Sequence, residues 1–246
     1  GLPVTSGTLT AITLAHLDRI SFENLSVFCG AVPDLGLDAL ARKMLHQPRG
    51  GYCFEVNTLL CAGLLGLGFD ARLRMARVMW QRDVPGPRTH CVCIVRLNGG
   101  EYLVDVGFGG PGPTEPVRLN GHTGDLHTED RSGLGIVLSR RTDDGQRRDL
   151  YAFTEEPTAM SDLEAGNWLA ATLPGSLFAR TLVVARQSGD LRLVLDGTEL
   201  RKFAKGRAPH VETLQTPDAV CTCLQDVFGL QPPAGLADVL IRKRFF

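Results

Sequence analysis

The stretch from Thr89 to Val106, THCVCIVRLNGGEYLVDV, constrains the fold more than any other part of the chain. Two β-branched, apolar runs flank Asn98-Gly99-Gly100. Asn-Gly between such runs is a strong hairpin signal, because both residues tolerate positive φ. With Asn98 and Gly99 as the turn, Leu97 pairs with Gly100, and counting outward sets Asp105 opposite Val92 and His90 opposite Gly107. Asp105 is then the diagonal neighbour of His90 on one face of the ribbon, within side-chain reach. A turn at Gly99-Gly100 keeps the two on one face but further apart. The period of two also sends Cys91 and Cys93 to the face opposite His90, Val92 and Ile94, where they read as core filler.

Around this hairpin the chain divides into three textures. As far as about Ala76 the apolar spacing is helical: Leu14, Leu17 and Ile20, then Leu37, Leu40, Ala41, Met44 and Leu45, then Val56, Leu59, Leu60, Gly63, Leu64 and Leu67. From Arg77 to about Pro157, short β-branched runs alternate with Gly, Pro, Asn and Asp clusters, as in antiparallel sheet. The tail from Asn167 combines a hairpin around Ser188-Gly189-Asp190 with a helical pattern over Thr216 to Phe228. The segment Gly121 to Gly135, with His122 and His127, reads as a polar surface loop. At 246 residues the chain has room for one large domain or two to three lobes sharing a core.

Composition narrows the partners. A formal net charge of -1 gives no electrostatic footprint for nucleic acid or an anionic membrane. No apolar run reaches the roughly 18 residues needed to span a bilayer. The opening GLPVTSGTLT lacks the basic-then-apolar pattern of a signal peptide, so the expected compartment is the cytoplasm. Seven cysteines, an odd number in a long chain, fit a reducing compartment better than a disulfide framework. Cys91-Val92-Cys93 and Cys221-Thr222-Cys223 have poor spacing for a zinc site, and no metal is expected.

One cysteine stands in an unusual context, Arg49-Gly50-Gly51-Tyr52-Cys53-Phe54-Glu55-Val56-Asn57. The helical run that follows puts Cys53 at or near a helix N-terminus, where the dipole and unpaired N–H groups favour a thiolate. Gly50 and Gly51 permit close approach of another molecule, and Arg49 offers further positive charge. The competing reading is a buried cysteine acting as a small hydrophobe. A nucleophilic thiol needs a base, and an imidazole oriented by a carboxylate is its usual partner. His90 and Asp105, on one face of the hairpin, supply that pair.

The ordered motifs RGGYCFEVN, Arg88-Thr89-His90 and Val104-Asp105-Val106-Gly107-Phe108-Gly109 closely resemble the arylamine N-acetyltransferase family. Ser21-Phe22-Glu23-Asn24-Leu25 resembles the family's early segment, and Pro174, Ser176, Phe178 and Leu182 to Arg186 its later region. The resemblance covers most of the chain, with departures at Val56, where relatives often carry Gln, and at Ser21, where Pro is common. It implies an α+β fold with a cysteine-protease-like core: a helical bundle over residues 1–76 carrying the nucleophile, a β-barrel-like domain over 77–166 carrying His and Asp, and an α/β lid over 167–246. It implies Cys53 as nucleophile, His90 as its proton-transfer partner, Asp105 as the residue that orients His90, and Phe22 and Phe108 as walls of the acceptor pocket. Acetyl-CoA is implied as the acyl-donor substrate, with no tightly bound cofactor, and a small aromatic amine or hydrazine as acceptor. Residues contacting CoA are left unassigned. Transglutaminase-like hydrolases and macrolactam-forming amide synthases use similar triads, and the VDVGFG segment argues against the former more than the latter.

Overall fold

The computed structural model describes residues 1–82, 84–142, 144–204 and 206–246. The chain opens with helix α1 (Ser6–Arg19), strand β1 (Phe22–Glu23), and helices α2 (Leu25–Phe28), α3 (Leu37–Leu45) and α4 (Cys53–Gly66). Eight strands follow: β2 (Asp70–Val78), β3 (His90–Leu97), β4 (Gly100–Val104), β5 (Val117–Arg118), β6 (His122–Thr123), β7 (Leu126–Arg131), β8 (Gly135–Arg141) and β9 (Arg147–Phe153). Helices α5 (Met160–Thr172) and α6 (Leu177–Arg180) lead to strands β10 (Val183–Ser188), β11 (Leu191–Asp196), β12 (Glu199–Ala204) and β13 (His210–Thr213), and then to α7 (Pro217–Asp226) and α8 (Leu236–Arg242). The class is α+β, with antiparallel ladders in two sheets. No helix among the described residues is long and apolar enough to cross a membrane.

The larger sheet runs β5-β4-β3-β2-β9-β8-β7-β6 and curls until its ends meet. Thr128 Oγ1 on β7 donates to Arg118 O on β5 at 2.9 Å, so the barrel-like sheet is nearly closed. Its interior is filled by Val92, Ile94, Leu103, Leu138, Leu150, Tyr151 and Phe153. Full burial of each such side chain contributes roughly 1.5–3 kcal/mol. Cys93 and Val95, on the other face of β3, join Leu40, Leu60 and Leu64 beneath the N-terminal helices. The smaller sheet, β1-β10-β11-β12-β13, packs on α7 and α8 through Leu195, Val220, Leu224 and Leu240.

The hairpin forms with the first of its two candidate turns. Asn98 (φ 51°) and Gly99 (φ 73°) take positive φ, and Leu97 pairs with Gly100. The ladder continues in that register to Cys93 and Val104. Cys91 and Cys93 are fully buried on the face opposite Val92 and Ile94, as the period of two requires. The second hairpin pairs Ser188 with Leu191 around Gly189-Asp190.

Two stretches differ from their sequence reading. Residues 70–76 fall within the helical texture but form, with Arg77 and Val78, strand β2, because Gly68 (φ 91°) stops the chain just past α4 and β2 is then claimed by β3 on one side and β9 on the other. The polar segment expected to be a surface loop is a hairpin of β6 and β7, with His122 opposite His127 and Thr123 opposite Leu126. Gly124 (φ 58°) makes its turn, and Leu126 and Thr128 are the buried anchors that its polar composition hides.

Candidate active site

Cys53 is the first residue of α4, as expected for a thiol at a helix N-terminus. Tyr52 caps the helix, and Glu55, three residues on, reaches back to accept the Tyr52 N–H at 3.1 Å. Burial pushes the Glu55 carboxyl up to about 7, against the opposing pull of Lys43, whose Nζ donates to it at 2.8 Å. The Tyr52 hydroxyl donates to the side chain of Asn167 on α5, which pins this end of α4 from above.

Gly50, Gly51 and Arg49 have roles other than those the sequence reading gave them. A Cβ on Gly50 would lie 2.0 Å from Ser21 O, and one on Gly51 would lie 2.7 Å from Glu55 Cβ. The glycines therefore admit the protein's own chain rather than an incoming molecule: Gly51 N–H donates to Ser21 O at 3.3 Å, and Glu23 N–H donates to Gly51 O at 3.0 Å. The Arg49 guanidinium donates to Glu23 Oε1 through Nε at 3.0 Å and Nη2 at 2.8 Å, and the Glu23 side chain is fully buried. Its charge is met by that carboxylate, so Arg49 fastens the loop to β1 rather than polarising the thiol.

Cys53, His90 and Asp105 are brought together from the start of α4, the first residue of β3 and the residue that follows β4. His90 Nε2 lies 2.9 Å from Asp105 Oδ2, while the Cys53 thiol donates to Thr89 O at 3.8 Å and stands near enough to His90 to act on the charge of the ring. With Nε2 committed to Asp105, Nδ1 is the nitrogen left for the thiol. All three are buried, at 1%, 2% and 1% exposure respectively, so the arrangement is screened from water. Burial opposes the imidazolium, but the charge and hydrogen bond of Asp105, with a smaller contribution from Cys53, outweigh it and raise His90 to about 10. Burial likewise opposes the Asp105 carboxylate, yet His90, Asn57 and the Gly107 N–H hold its pKa below the ordinary value.

Sequence reasoning missed two members of this shell. Asn57 stands one turn beyond Cys53; its Nδ2 donates to Asp105 Oδ1 at 2.9 Å and to Cys91 O at 2.8 Å, and its Oδ1 accepts the Val106 N–H at 3.1 Å. The i, i+4 spacing from Cys53 was the signal available for it. Tyr151, on β9, packs its ring 4.9 Å from that of His90, and no local pattern points to it. Its buried hydroxyl lies near enough to Asp105 for that charge to reinforce the upward pKa shift caused chiefly by burial, but forms no well-aligned hydrogen bond.

A cleft of about 500 Å³ reaches this cluster at Asp105. Phe22 and Phe108 both line it. Phe22 packs on Phe178 at 5.8 Å between ring centres, and Phe108 packs edge-on to His90 at 5.6 Å. Close packing fixes the glycines of the VDVGFGGPG segment: a Cβ on Gly107 would lie 2.7 Å from Cys53 Cα, and one on Gly109 would lie 2.7 Å from the Phe22 ring. Val56 is fully buried among Leu60, Leu64 and Val106, so it serves the helical core. Among the described residues no group of three or more His, Cys, Asp or Glu side chains is arranged to hold a metal ion.

A family model described as N-acetyltransferase matches residues 5–235. The arylamine N-acetyltransferase of Mycolicibacterium smegmatis is 40% identical over 255 residues, covering 95% of this chain and 91% of that protein. The chain belongs to the arylamine N-acetyltransferase family. Its fold agrees with the family's solved structures. The Salmonella typhimurium arylamine N-acetyltransferase superposes with a TM-score of 0.92 at 30% identity, covering 98% of this chain and 93% of that one. The Mycobacterium marinum arylamine N-acetyltransferase, solved in complex with CoA, superposes with a TM-score of 0.86 at 35% identity, covering 97% and 91%.

Proposed function

We propose that this acetyltransferase moves an acetyl group from acetyl-CoA to the nitrogen of an aromatic amine or hydrazine in two half-reactions. Family membership supports the acetyl transfer, and the CoA complex of the Mycobacterium marinum relative supports the donor. The observation that carries the mechanism is the burial of Cys53 beside His90, with His90 hydrogen-bonded to Asp105 at 2.9 Å and Asp105 lining a cleft.

In the first half-reaction the Cys53 sulfur attacks the thioester carbonyl, the C–S bond to CoA breaks, and CoA leaves as its thiol with the proton held by His90. Acetyl-Cys53 remains. In the second, the amine nitrogen attacks the acetyl carbonyl, its proton passes to His90, and the amide departs as the Cys53 C–S bond breaks, restoring the thiolate–imidazolium pair. Asp105 keeps His90 in one orientation and stabilises its charged form throughout. Thioester exchange is close to neutral in energy, so dividing the transfer lets two substrates use one site in turn. Phe22 and Phe108 wall the acceptor subsite, where flat apolar faces suit an aromatic ring. Because Cys53 is almost wholly covered, an incoming thioester displaces one of the neighbouring side chains to reach it.

The same reading divides the chain into a helical bundle (1–76), a barrel-like domain (77–166) and an α/β lid (167–246) around a cysteine-protease-like core, and it places the protein in the cytoplasm. Initial rates test the mechanism. Parallel double-reciprocal plots for acetyl-CoA and amine, with stoichiometric CoA release before amine is added, are expected; intersecting plots with no release until both are present would replace it with a ternary-complex transfer.

A further inference from the structure

Three arginines line the cleft, Arg140, Arg186 and Arg192. Two are engaged. Arg140 donates to Asp125 Oδ2 at 2.6 Å and to Gly112 O at 3.0 Å. Arg186 donates to Asp18 O at 3.1 Å and Phe228 O at 3.4 Å. Arg192, half-buried on β11, has no hydrogen bond and no carboxylate within 4 Å among the described residues. Its guanidinium carbon lies 4.3 Å above the centre of the Phe203 ring on the adjacent strand. Burial, and then the like charge of Arg140, push its pKa below the ordinary arginine value.

A guanidinium drawn out of water is ordinarily paired, because its desolvation is compensated only by an anion or by acceptors for its five N–H donors. Here the aromatic face braces the group by a cation–π contact, and those donors have no acceptor among the described residues. The overall field does not select an anion, since Glu115, Asp125 and Asp190 also line the cleft. Asp125 is engaged by Arg140, so the distinctive feature is local: one braced guanidinium, without a partner among the described residues, in a cleft that Asp105 also lines.

We propose that Arg192, braced by Phe203, is the phosphate-binding residue of the acyl-donor subsite and takes an oxygen of the CoA diphosphate or of its 3′-phosphate. Planar, fixed N–H donors are suited to phosphate oxygens, and a charge-assisted bond of this kind forms equally in ground state and transition state. Arg192 is therefore a determinant of donor affinity rather than of the chemical step. The assignment rests on acetyl-CoA being the donor.

The test compares Arg192→Ala and Arg192→Lys with the parent protein, using acetyl-CoA, acetyl-dephospho-CoA and the phosphate-free donor S-acetyl-N-acetylcysteamine. Arg192→Ala is expected to raise the KM for acetyl-CoA by about tenfold or more, the loss of one charge-assisted hydrogen bond, with kcat nearly kept. Arg192→Lys should recover part of that loss. The rate with the phosphate-free donor should be retained, which also verifies that the variant is folded. A KM penalty that persists with acetyl-dephospho-CoA assigns the contact to the diphosphate, and one that disappears assigns it to the 3′-phosphate. An unchanged KM for acetyl-CoA, or an equal loss with all three donors, overturns the proposal. Calorimetric binding of CoA itself separates this inference from the acetyl-transfer reading: CoA bound by the parent and weakened in Arg192→Ala, with no acetylation of the protein, would sink that reading and keep this one.

Discussion

Replacing Asn57 by leucine, a side chain of similar size, removes three hydrogen bonds from the floor of the site without opening a large cavity. The Cys91 carbonyl and the Val106 N–H are left buried and unpaired, and Asp105 loses the donor at 2.9 Å while keeping the Gly107 N–H at 2.8 Å and His90 at 2.9 Å. Each of the two orphaned backbone groups costs about 1–3 kcal/mol, and the lost bond to a charged acceptor adds a comparable amount, so destabilisation of about 3–9 kcal/mol is expected. For a chain of this size that lowers Tm by about 10 °C or more. A second readout separates positioning from bulk stability. With one donor gone, the Asp105 carboxylate is less stabilised and supports the imidazolium less, so the His90 pKa falls from its raised value. Thermal denaturation followed by circular dichroism measures the first effect, and an NMR titration of the His90 ring measures the second. An Asn57→Leu protein with parental Tm and an unchanged His90 titration would refute the argument that Asn57 ties the nucleophile's helix to the His-Asp pair.

Gly50→Ala puts a Cβ 2.0 Å from a backbone oxygen that cannot swing aside, so the RGGYC loop must move as a unit. The expected result is loss of soluble, cooperatively melting protein; a variant with parental Tm would show that the loop has slack. His16 is buried, its Nε2 has no partner among the described residues, and burial lowers its pKa from 6.5 to about 4. The unfolded chain therefore takes up this proton more readily, and the contribution is complete above pH 6.5 and lost as the pH falls through 4. Over those 2.5 pH units the loss approaches about 3 kcal/mol at roughly 1.36 kcal/mol per unit. Denaturant melts across this window should show the slope in the parent and a flatter one in His16→Leu; equal slopes would remove His16 from the account.

The parts of the fold that were legible in the sequence are those set by local geometry. Asn98-Gly99 fixes the hairpin register because few other dipeptides accept two positive φ angles, and the alternation of strand faces then separates His90 from Cys91 and Cys93. The helix beginning at Cys53 is equally local, since its apolar spacing and the Glu55 return to Tyr52 lie within one turn. What was misread depends on partners distant in sequence. Arg49 looked like a free charge beside a thiol because Glu23, its partner, is 26 residues away. Gly50 and Gly51 looked like open space because the Ser21 carbonyl that fills it arrives with β1. Strand β2 alternates Asp70, Arg72 and Arg74 with Ala71, Leu73 and Met75, a strand period that the adjoining helical run masked, and it pairs with β3 and β9. Tyr151 reaches His90 across β2, which pairs with both their strands, and no spacing along the chain announces that contact.

Covalent labelling by the donor tests the central claim most directly. Protein incubated with acetyl-CoA alone, digested and analysed by peptide mass spectrometry, is expected to carry acetyl on the Cys53 peptide and on none of the other six cysteines. Added aromatic amine or hydrazine should remove it. Acetyl absent from Cys53, or an acetylation pattern unchanged in Cys53→Ser, would contradict the account.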